Sequence, residues 1–349
     1  MKISICIPQY NRAKLLVKAL RMLENQTYEN IEIVVSDDCS TDDTIERISE
    51  LKKTFRFPII LGTFEKNQGY DRNYRRCIEL ATGDYAFVIG NDDTIYSDDS
   101  IQFLVDFLVE NNYPEIGYCN YVEEKNKSFV VERALSTRVQ GSGIEVAINN
   151  YNGFSFVGGL IYKKSAFDKY NTGKHDGSIY SQMYMGLLMV ASGCRLFTIK
   201  KPLVLKDLHN EDGSFRWSYY RDGLPKSWEE FKLMDGGLPS VSNVLISATE
   251  DALGKPDSKL AFRILKRVYS ITYPFWIVQY KKYGSFAAAF GLIKGINPAK
   301  SINWNKINGI HKVFLYSIYV KVSFLGIITP VILFDIIEQK LQKSVKKSY

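Results

Sequence analysis

The first 120 residues alternate between short apolar runs and amphipathic segments. Four of the apolar runs are residues 3–7, 31–35, 58–61 and 85–89. They are rich in β-branched or aromatic side chains, and each is too short to form a helix, so we predict four buried strands.

The segments between these runs place apolar residues at helical spacing. Leu16, Leu20 and Leu23 follow the first strand in this way, residues 70–81 follow the third, and Ile101 to Val109 follow the fourth. Strands that alternate with helices predict an α/β domain whose mostly parallel sheet is covered by helices on both faces.

Acidic residues follow two of the predicted strands. Asp37 and Asp38 end the second strand, and Asn91, Asp92 and Asp93 follow the fourth. Ligands of open α/β sheets bind beyond the carboxyl ends of the strands. Adjacent carboxylates repel each other there, and Mg²⁺ or Mn²⁺ held with a substrate diphosphate would offset that repulsion. A solvated turn is the alternative, since Asn and Asp favour turns.

The composition is that of an ordinary folded protein. The 349 residues are 46% hydrophobic and 24% charged, which is enough for one large domain or two. The five cysteines are scattered and lack metal-ligand spacing, as expected in a reducing compartment. The polar residues of the N-terminal segment disfavour a signal peptide.

Charge divides the chain unevenly. Residues 255–349 hold 16 Lys/Arg and 3 Asp/Glu, whereas residues 1–254 hold 29 and 35. We therefore predict two parts with different roles, an N-terminal domain over residues 1–220 and a helical, basic region over residues 221–349.

The C-terminal region is apolar as well as basic. We expect its helices to lie on the cytoplasmic face of the membrane, where apolar burial adds to attraction by anionic lipid. A clean transmembrane span is disfavoured, because Lys321, Pro330 and Asp335 interrupt the apolar run over residues 313–337. The alternative is a soluble helical subdomain that packs on the core or forms a homo-oligomer. The high apolar content disfavours nucleic acid as a partner.

Four motifs occur together in a fixed order. They are Pro8-Gln9-Tyr10-Asn11, residues 34–42 with Asp37 and Asp38, Asn67-Gln68-Gly69 with Arg72-Asn73, and Gly83-Asp84-Tyr85 running into Asp92-Asp93. The order resembles family 2 glycosyltransferases, which are inverting enzymes of the GT-A fold that use nucleotide-sugar donors. The resemblance covers residues 1–120 closely and residues 150–215 loosely.

The resemblance implies roles for individual residues. The nucleotide-sugar site would include Pro8, Tyr10, Asn11, Asp37, Asp38, Asn67, Gly69, Arg72, Asn91 and Arg216. A Mn²⁺ or Mg²⁺ ion on the diphosphate would be held by Asp92, Asp93 and His209. The family's Asp-x-Asp is incomplete here, since Gly90 replaces its first Asp. The Gly-x-Asp-Asp version also looks like enzymes that transfer dideoxy sugars in surface polysaccharide synthesis.

The general base is the least clear of the implied residues. The family has a Glu-Asp pair at the start of the helix near residue 181, but Ser181 and Gln182 stand there in this sequence. Asp176, assisted by His175, is the nearest candidate for deprotonating an acceptor hydroxyl. A structural turn at Asp176 is the alternative.

Taken together, these features predict an inverting, metal-dependent hexosyl- or deoxyhexosyl-transferase. It would move sugar from a nucleoside diphosphate-sugar to a saccharide or lipid-linked saccharide acceptor in cell-surface polysaccharide synthesis. Two alternatives stay open at this point. One is a catalytically inactive binding protein of the same fold. The other is a nucleotidyltransferase, which the Pro-Gln-Tyr-Asn loop disfavours because that class carries a Gly-rich, basic loop after its first strand.

Overall fold

A computed structural model describes residues 1–210, 220–221, 224–225, 238–283 and 285–334. The chain forms two compact units. One unit is Met1–Gly177 with Ser181–Phe215, and the other is Ser178–Tyr180 with Arg216–Tyr349. The predicted domain limits at residues 220 and 221 stay a prediction.

A mixed, mostly parallel sheet forms the centre of the N-terminal unit. Its strands are β1 (Ile3–Gln9), β2 (Ile31–Asp37), β3 (Ile59–Thr63), β4 (Tyr85–Val88), β5 (Thr94–Ile95), β6 (Ile116–Glu123), β7 (Asn126–Val131), β8 (Arg138–Gly141), β9 (Leu160–Lys163) and β10 (Leu196–Lys206). The spatial order is β3-β2-β1-β4-β9-β6-β10-β5, with β7 on β6 and β8 on β10. The neighbouring strands β3, β2, β1 and β4 are parallel, so their carboxyl ends lie at the same edge.

Seven helices belong to the described part of the same unit. They are α1 (Ala13–Leu23), α2 (Thr44–Leu51), α3 (Tyr70–Glu79), α4 (Ser100–Glu110), α5 (Ile144–Asn150), α6 (Lys164–Tyr170) and α7 (Ser181–Ala191). The predicted alternation of strands and helices is confirmed through α4. The antiparallel strand β9, which lies between β4 and β6, is an addition that the alternation did not predict.

Burial on both faces explains why these strands are mostly apolar. Alternate side chains of a strand point to opposite faces, and in β1 both Ile5 and Cys6 are fully buried. Val34 and Val35 of β2 are likewise fully buried. Such strands are mainly apolar, which is the sequence pattern of a parallel sheet. Two of their buried polar residues pair with each other, since the Ser4 hydroxyl donates to Glu32 Oε1 at 2.6 Å.

The C-terminal unit is helical, as predicted. Its helices are α8 (Val241–Leu253), α9 (Ser258–Arg267), α10 (Tyr273–Tyr283), α11 (Phe286–Gly295) and α12 (Gly309–Ile328). A π-helical turn over Val268–Thr272 joins α9 to α10. Pro274 explains this turn, because proline lacks an N–H and clashes with the carbonyl four residues earlier.

The long apolar helix begins and ends earlier than the apolar run suggested. Asn308 caps α12 by accepting a hydrogen bond from the His311 N–H at 2.9 Å. The helix ends at Ile328, two residues before Pro330, where the backbone leaves the helical region. By length and composition, α12 is the one helix in the described residues that could cross a membrane.

Candidate active site

Gln9 joins the loops that follow β1 and β4. The residue is fully buried, and its amide accepts from Asn91 Nδ2 at 2.9 Å and donates to Thr44 Oγ1 at 2.9 Å. The chain beyond it turns through two left-handed residues, Asn11 with φ 51° and Arg12 with φ 67°. This turn brings the Asn11 Oδ1 to the Thr41 N–H at 2.9 Å, in the loop after β2.

Two adjacent carboxylates at the end of β2 have different partners. Asp37 accepts from the Ser40 N–H at 2.9 Å and from the Ser40 hydroxyl, so it shapes its own loop. Asp38 accepts from the N–H groups of Gln68 and Gly69 at 2.6 and 2.9 Å and joins its loop to the one after β3. Burial raises the pKa of Asp38, and the two amides offset part of that rise.

Gly69 has a conformation that favours glycine. Its φ is +85°, and it precedes the first residue of α3. The N–H of Gly69 also donates to Asn67 Oδ1 at 3.0 Å. Asn67 and Gly69, both predicted site residues, therefore lie in the loop that Asp38 holds.

Asp92 and Asp93 are adjacent in sequence but differ in environment. Asp92 Oδ2 forms an ion pair with Arg12 Nη1 at 2.5 Å. Asp93 is 1% exposed, and its carboxylate accepts from the N–H groups of Gly90 and Asp207, each at 3.1 Å. Burial, followed by the charge of Asp92, raises the pKa of Asp93 to about 7.

The segment after β10 completes this edge of the sheet. The Leu208 N–H donates to the Asp92 carbonyl at 2.7 Å. Glu124 accepts from the His209 backbone N–H at 2.6 Å and lies 3.2 Å from His209 Nδ1. Lys18 Nζ bonds both Glu124 Oε1 at 2.7 Å and the His209 carbonyl at 3.0 Å. The contact between His209 Nδ1 and Glu124 orients the imidazole ring, because it fixes one of the two ring nitrogens.

Five loops thus meet at the carboxyl edge of the sheet. They follow β1, β2, β3, β4 and β10, and direct hydrogen bonds link them. Most of the predicted nucleotide-site residues lie in or beside these loops, namely Pro8, Tyr10, Asn11, Asp37, Asp38, Asn67, Gly69 and Asn91. Tyr10 has 45% of its surface exposed and Pro8 pairs with Ser36 in β2. These residues therefore lie at one edge of the sheet, and their role in binding a nucleotide stays a prediction.

Two predicted residues have partners elsewhere. The Arg72 guanidinium pairs with Glu79 at 2.9 Å, so it extends along α3 away from Gly69. Both carboxylate oxygens of Asp176 accept hydrogen bonds from Arg75, one of them at 2.9 Å. The role of Asp176 as general base stays a prediction. Arg216 lies outside the described residues.

The predicted metal ligands do not form a metal centre by themselves. In the described ranges there is no group of three or more His, Cys, Asp and Glu residues placed to hold an ion. Asp93 already accepts two backbone amides, and His209 lies against Glu124. Asp92 is likewise paired with Arg12. Since Mg²⁺ and Mn²⁺ use one or two carboxylates together with substrate phosphates, a metal-binding role for Asp92 stays a prediction.

Arg133 is a structural centre that sequence inspection missed. Its guanidinium makes five hydrogen bonds of 2.6–3.1 Å to backbone carbonyls. These carbonyls belong to Cys119, Gly153, Phe156 and Gly158. Gly158 in turn packs on the acidic loop, since a Cβ there would lie 2.7 Å from Asp93 Oδ2. Arg133 therefore fixes the segment that covers Asp93.

Arg12 and Asp71 were also missed. No local pattern links Arg12 to Asp92, which is 80 positions away. Asp71 is 2% exposed, and its Oδ1 accepts from the Ser181 N–H at the start of α7 at 3.1 Å. A carboxylate at this place satisfies one of the unpaired amides of the helix and complements its dipole.

The mostly parallel sheet, with acidic residues beyond the strand ends, has the α/β architecture of the GT-A fold. Residues 4–170 match the model described as glycosyl transferase family 2. The resemblance stated from the motifs is confirmed.

Two curated relatives and one solved structure illustrate the kinship. The chain is 32% identical over 225 residues to the abequosyltransferase RfbV of Salmonella typhimurium. This alignment covers 59% of this chain and 66% of that protein. It is 31% identical over 145 residues to the GalNAc(5)-diNAcBac-PP-undecaprenol beta-1,3-glucosyltransferase of Campylobacter jejuni, covering 41% of this chain and 44% of that protein. The alignments thus span less than two thirds of these relatives' own length.

The structural comparison shows the same fold. The structure of S. aureus TarS 1-349 in complex with UDP superposes with a TM-score of 0.58 at 14% identity, covering 100% of this chain and 92% of that one.

Proposed function

We propose that the protein is an inverting glycosyltransferase that moves a sugar from a nucleoside diphosphate-sugar to a hydroxyl of a saccharide acceptor in surface polysaccharide synthesis. The family match and the two curated relatives support this reaction class. The observation that carries the proposal is the set of hydrogen-bonded loops at one sheet edge. Asp38 follows β2 and Asp92 follows β4, and these two strands lie on either side of β1.

The nucleoside would bind at the ends of β1 and β2. Asp38 is held by two backbone amides and offers a carboxylate of fixed orientation to a pyrimidine N–H or to ribose hydroxyls. Tyr10 is exposed on the neighbouring loop and would stack on the base. Both contacts bind and orient the donor without taking part in bond breaking.

The diphosphate would lie at the end of β4. Arg12 supplies a guanidinium there, and Asp92 would hold a divalent cation together with the phosphate oxygens. Such a cation neutralises charge on the leaving group. Arg12 contributes to the same end, since a fixed positive charge beside the departing diphosphate stabilises the transition state.

The acceptor hydroxyl would attack the anomeric carbon from the face opposite the diphosphate. This single displacement inverts the anomeric configuration. The deprotonating group is left unassigned, because Arg75 holds Asp176. We further propose a deoxyhexose donor and a lipid-linked acceptor. The names of the abequosyltransferase and of the undecaprenol-linked glucosyltransferase favour these two classes.

The test is transfer from a panel of UDP-, dTDP-, GDP- and CDP-sugars to lipid-linked saccharide, with the product configuration read by NMR. We expect one donor class to react with inversion and Asp92→Asn to lose at least about 100-fold in rate. The matched control is Asp99→Asn, because Asp99 also pairs with a cation, Lys201, but lies at the start of α4. A retained configuration, or equal rates for the two variants, contradicts the proposal.

A second candidate is a protein that binds the donor without transferring it. The absence of an acidic pair at Ser181 and Gln182, together with the engagement of Asp176 by Arg75, favours this candidate. Single-turnover assays separate the two, since a binding protein retains the donor intact while an enzyme releases nucleoside diphosphate.

A further inference from the structure

We propose that the outward face of α12 is a docking surface for an anionic lipid bilayer, on which the helix lies parallel to the membrane plane. The outward face consists of Ile310, Val313, Phe314, Ser317, Val320, Lys321, Phe324 and Ile328. This inference concerns the helical unit alone and does not rest on the proposed transfer activity.

One side of α12 packs inside the helical unit. Leu315, Val322 and Gly326 are buried at the spacing of one helix side. Gly326 allows a close approach to α10, since a Cβ there would lie 2.6 Å from Ile277 Cγ2. Near the other end, His311 stacks on Phe262 of α9 with ring centroids 3.9 Å apart.

The opposite side is apolar and open. At 3.6 residues per turn, the residues of the outward face share one side of the helix. Their exposed fractions are 80% for Ile310, 74% for Val313, 55% for Phe314, 52% for Val320, 63% for Phe324 and 53% for Ile328. A contiguous apolar stripe of this kind is unfavourable in water and marks an interaction surface.

The charge of the unit identifies the partner. Residues 258–334 contain 11 Lys/Arg and no Asp/Glu. Lys321 is exposed on the outward face, and Lys266 Nζ lies 6.0 Å from the Phe314 ring centroid. Lysines beside an apolar stripe match an anionic lipid surface, where the side chains enter the acyl boundary and the ammonium groups meet lipid phosphates.

A second copy of the chain is a poorer occupant of this face. Two copies related by a twofold axis would bring the same stripe together, with Lys321 of one copy near that of the other. Like charges of this kind oppose association, whereas lipid headgroups supply the missing negative charge.

The packing of α12 also favours lying on the bilayer over crossing it. Its inner side contacts α9, which carries Lys259, Arg263, Lys266 and Arg267. Lys281 Nζ of α10 donates to the carbonyls of Gly326 and Ile327 at 3.0 and 2.9 Å. A spanning helix would either lose these contacts or carry those charges into the hydrocarbon, where they are costly.

The experiment is flotation of the full chain with vesicles of phosphatidylcholine, with and without phosphatidylglycerol. We expect strong partition only into vesicles that contain phosphatidylglycerol. The test variant is Val313→Ser with Phe324→Ser, which removes two exposed side chains of the stripe and is expected to lower partition roughly tenfold or more. Lys321→Gln is expected to lower it about fivefold.

The matched control is Val109→Ser with Phe129→Ser. These residues have the same side chains and are 47% and 40% exposed in the N-terminal unit, so the double variant is expected to partition like the unmodified chain. Equal partition of the two double variants overturns the proposal, as does a lack of binding to either vesicle. If alkaline carbonate does not extract the protein from the vesicles, a helix spans the bilayer and the proposal is overturned. If the chain sediments as a dimer and the double variant Val313→Ser with Phe324→Ser sediments as a monomer, the outward face binds a second copy of the chain instead of a membrane.

Discussion

Replacing Arg133 by alanine is expected to loosen the segment that covers the acidic loop. The guanidinium donates to four backbone carbonyls, one of them twice, and lies 5.4–5.7 Å from the ring centroids of Tyr118, Tyr121 and Phe156. Alanine would leave those carbonyls without their donor. Lysine would not restore them, because a single ammonium cannot reproduce the planar fork.

The loss in unfolding free energy can be estimated from the hydrogen bonds of Arg133. Hydrogen bonds to a charged group contribute about 1.5–3 kcal/mol each, and bonds that share one side chain are far from additive. We therefore expect a loss of about 3 kcal/mol in unfolding free energy for Arg133→Ala, close to the upper range of single substitutions. For a unit of about 200 residues this corresponds to roughly 6–12 °C in the unfolding midpoint.

The assay is scanning calorimetry of Arg133→Ala and Arg133→Lys beside Arg138→Ala. Arg138 is an exposed arginine of β8 whose guanidinium Nε contacts Gln140 at 3.2 Å, so its removal is expected to change the midpoint by less than about 2 °C. If Arg133→Ala and Arg138→Ala unfold within about 2 °C of each other, the account of the segment over residues 153–158 is wrong.

Three further substitutions test the strand-end loops. Asp38→Asn places an NH₂ donor against one of the N–H groups of Gln68 and Gly69, each of which bonds to a different oxygen of Asp38. We therefore expect the unfolding free energy to fall by about 1–3 kcal/mol and donor affinity to fall at least about tenfold, measured by calorimetry. The pKa of Asp93 is raised to about 7 in the folded chain. Its protonation therefore contributes stability that is fully present below about pH 4 and is lost as the pH rises through 7. In EDTA, the unfolding midpoint should therefore fall more between pH 5 and 8 in the unmodified chain than in Asp93→Asn, and parallel profiles would contradict this. Asp176→Asn breaks the pair with Arg75 and should lower stability by about 1–3 kcal/mol while transfer falls less than about tenfold. A loss of about 1,000-fold in transfer would instead restore Asp176 as the base.

The sequence identified those elements whose burial leaves a strong pattern. β1 and β2 are internal strands of the sheet, and their mostly apolar sequences follow from cover on both faces. β5 has two residues, and most of β7 is exposed, so neither produces a run or an alternation that stands out.

In the candidate site, the sequence indicated which strand ends lie together but not which side chains pair. Parallel topology requires the ends of β1, β2 and β4 to lie at one edge, and so the neighbourhood of Asp37, Asp38 and Asp92 was predictable. The partners of individual side chains were not. Asp176 and Arg75 are 101 positions apart, and no local spacing indicates that they pair.

Donor titration by calorimetry tests the central claim most directly, namely that the strand-end loops form one site for a nucleoside diphosphate-sugar. The titration uses the unmodified chain, Asp38→Asn, Asp92→Asn and the control Asp99→Asn, each with Mn²⁺. We predict that one nucleotide class binds, that Asp38→Asn and Asp92→Asn each weaken it at least about tenfold, and that Asp99→Asn leaves it unchanged. Binding that is equally strong in all four proteins would place the nucleotide elsewhere and contradict the account.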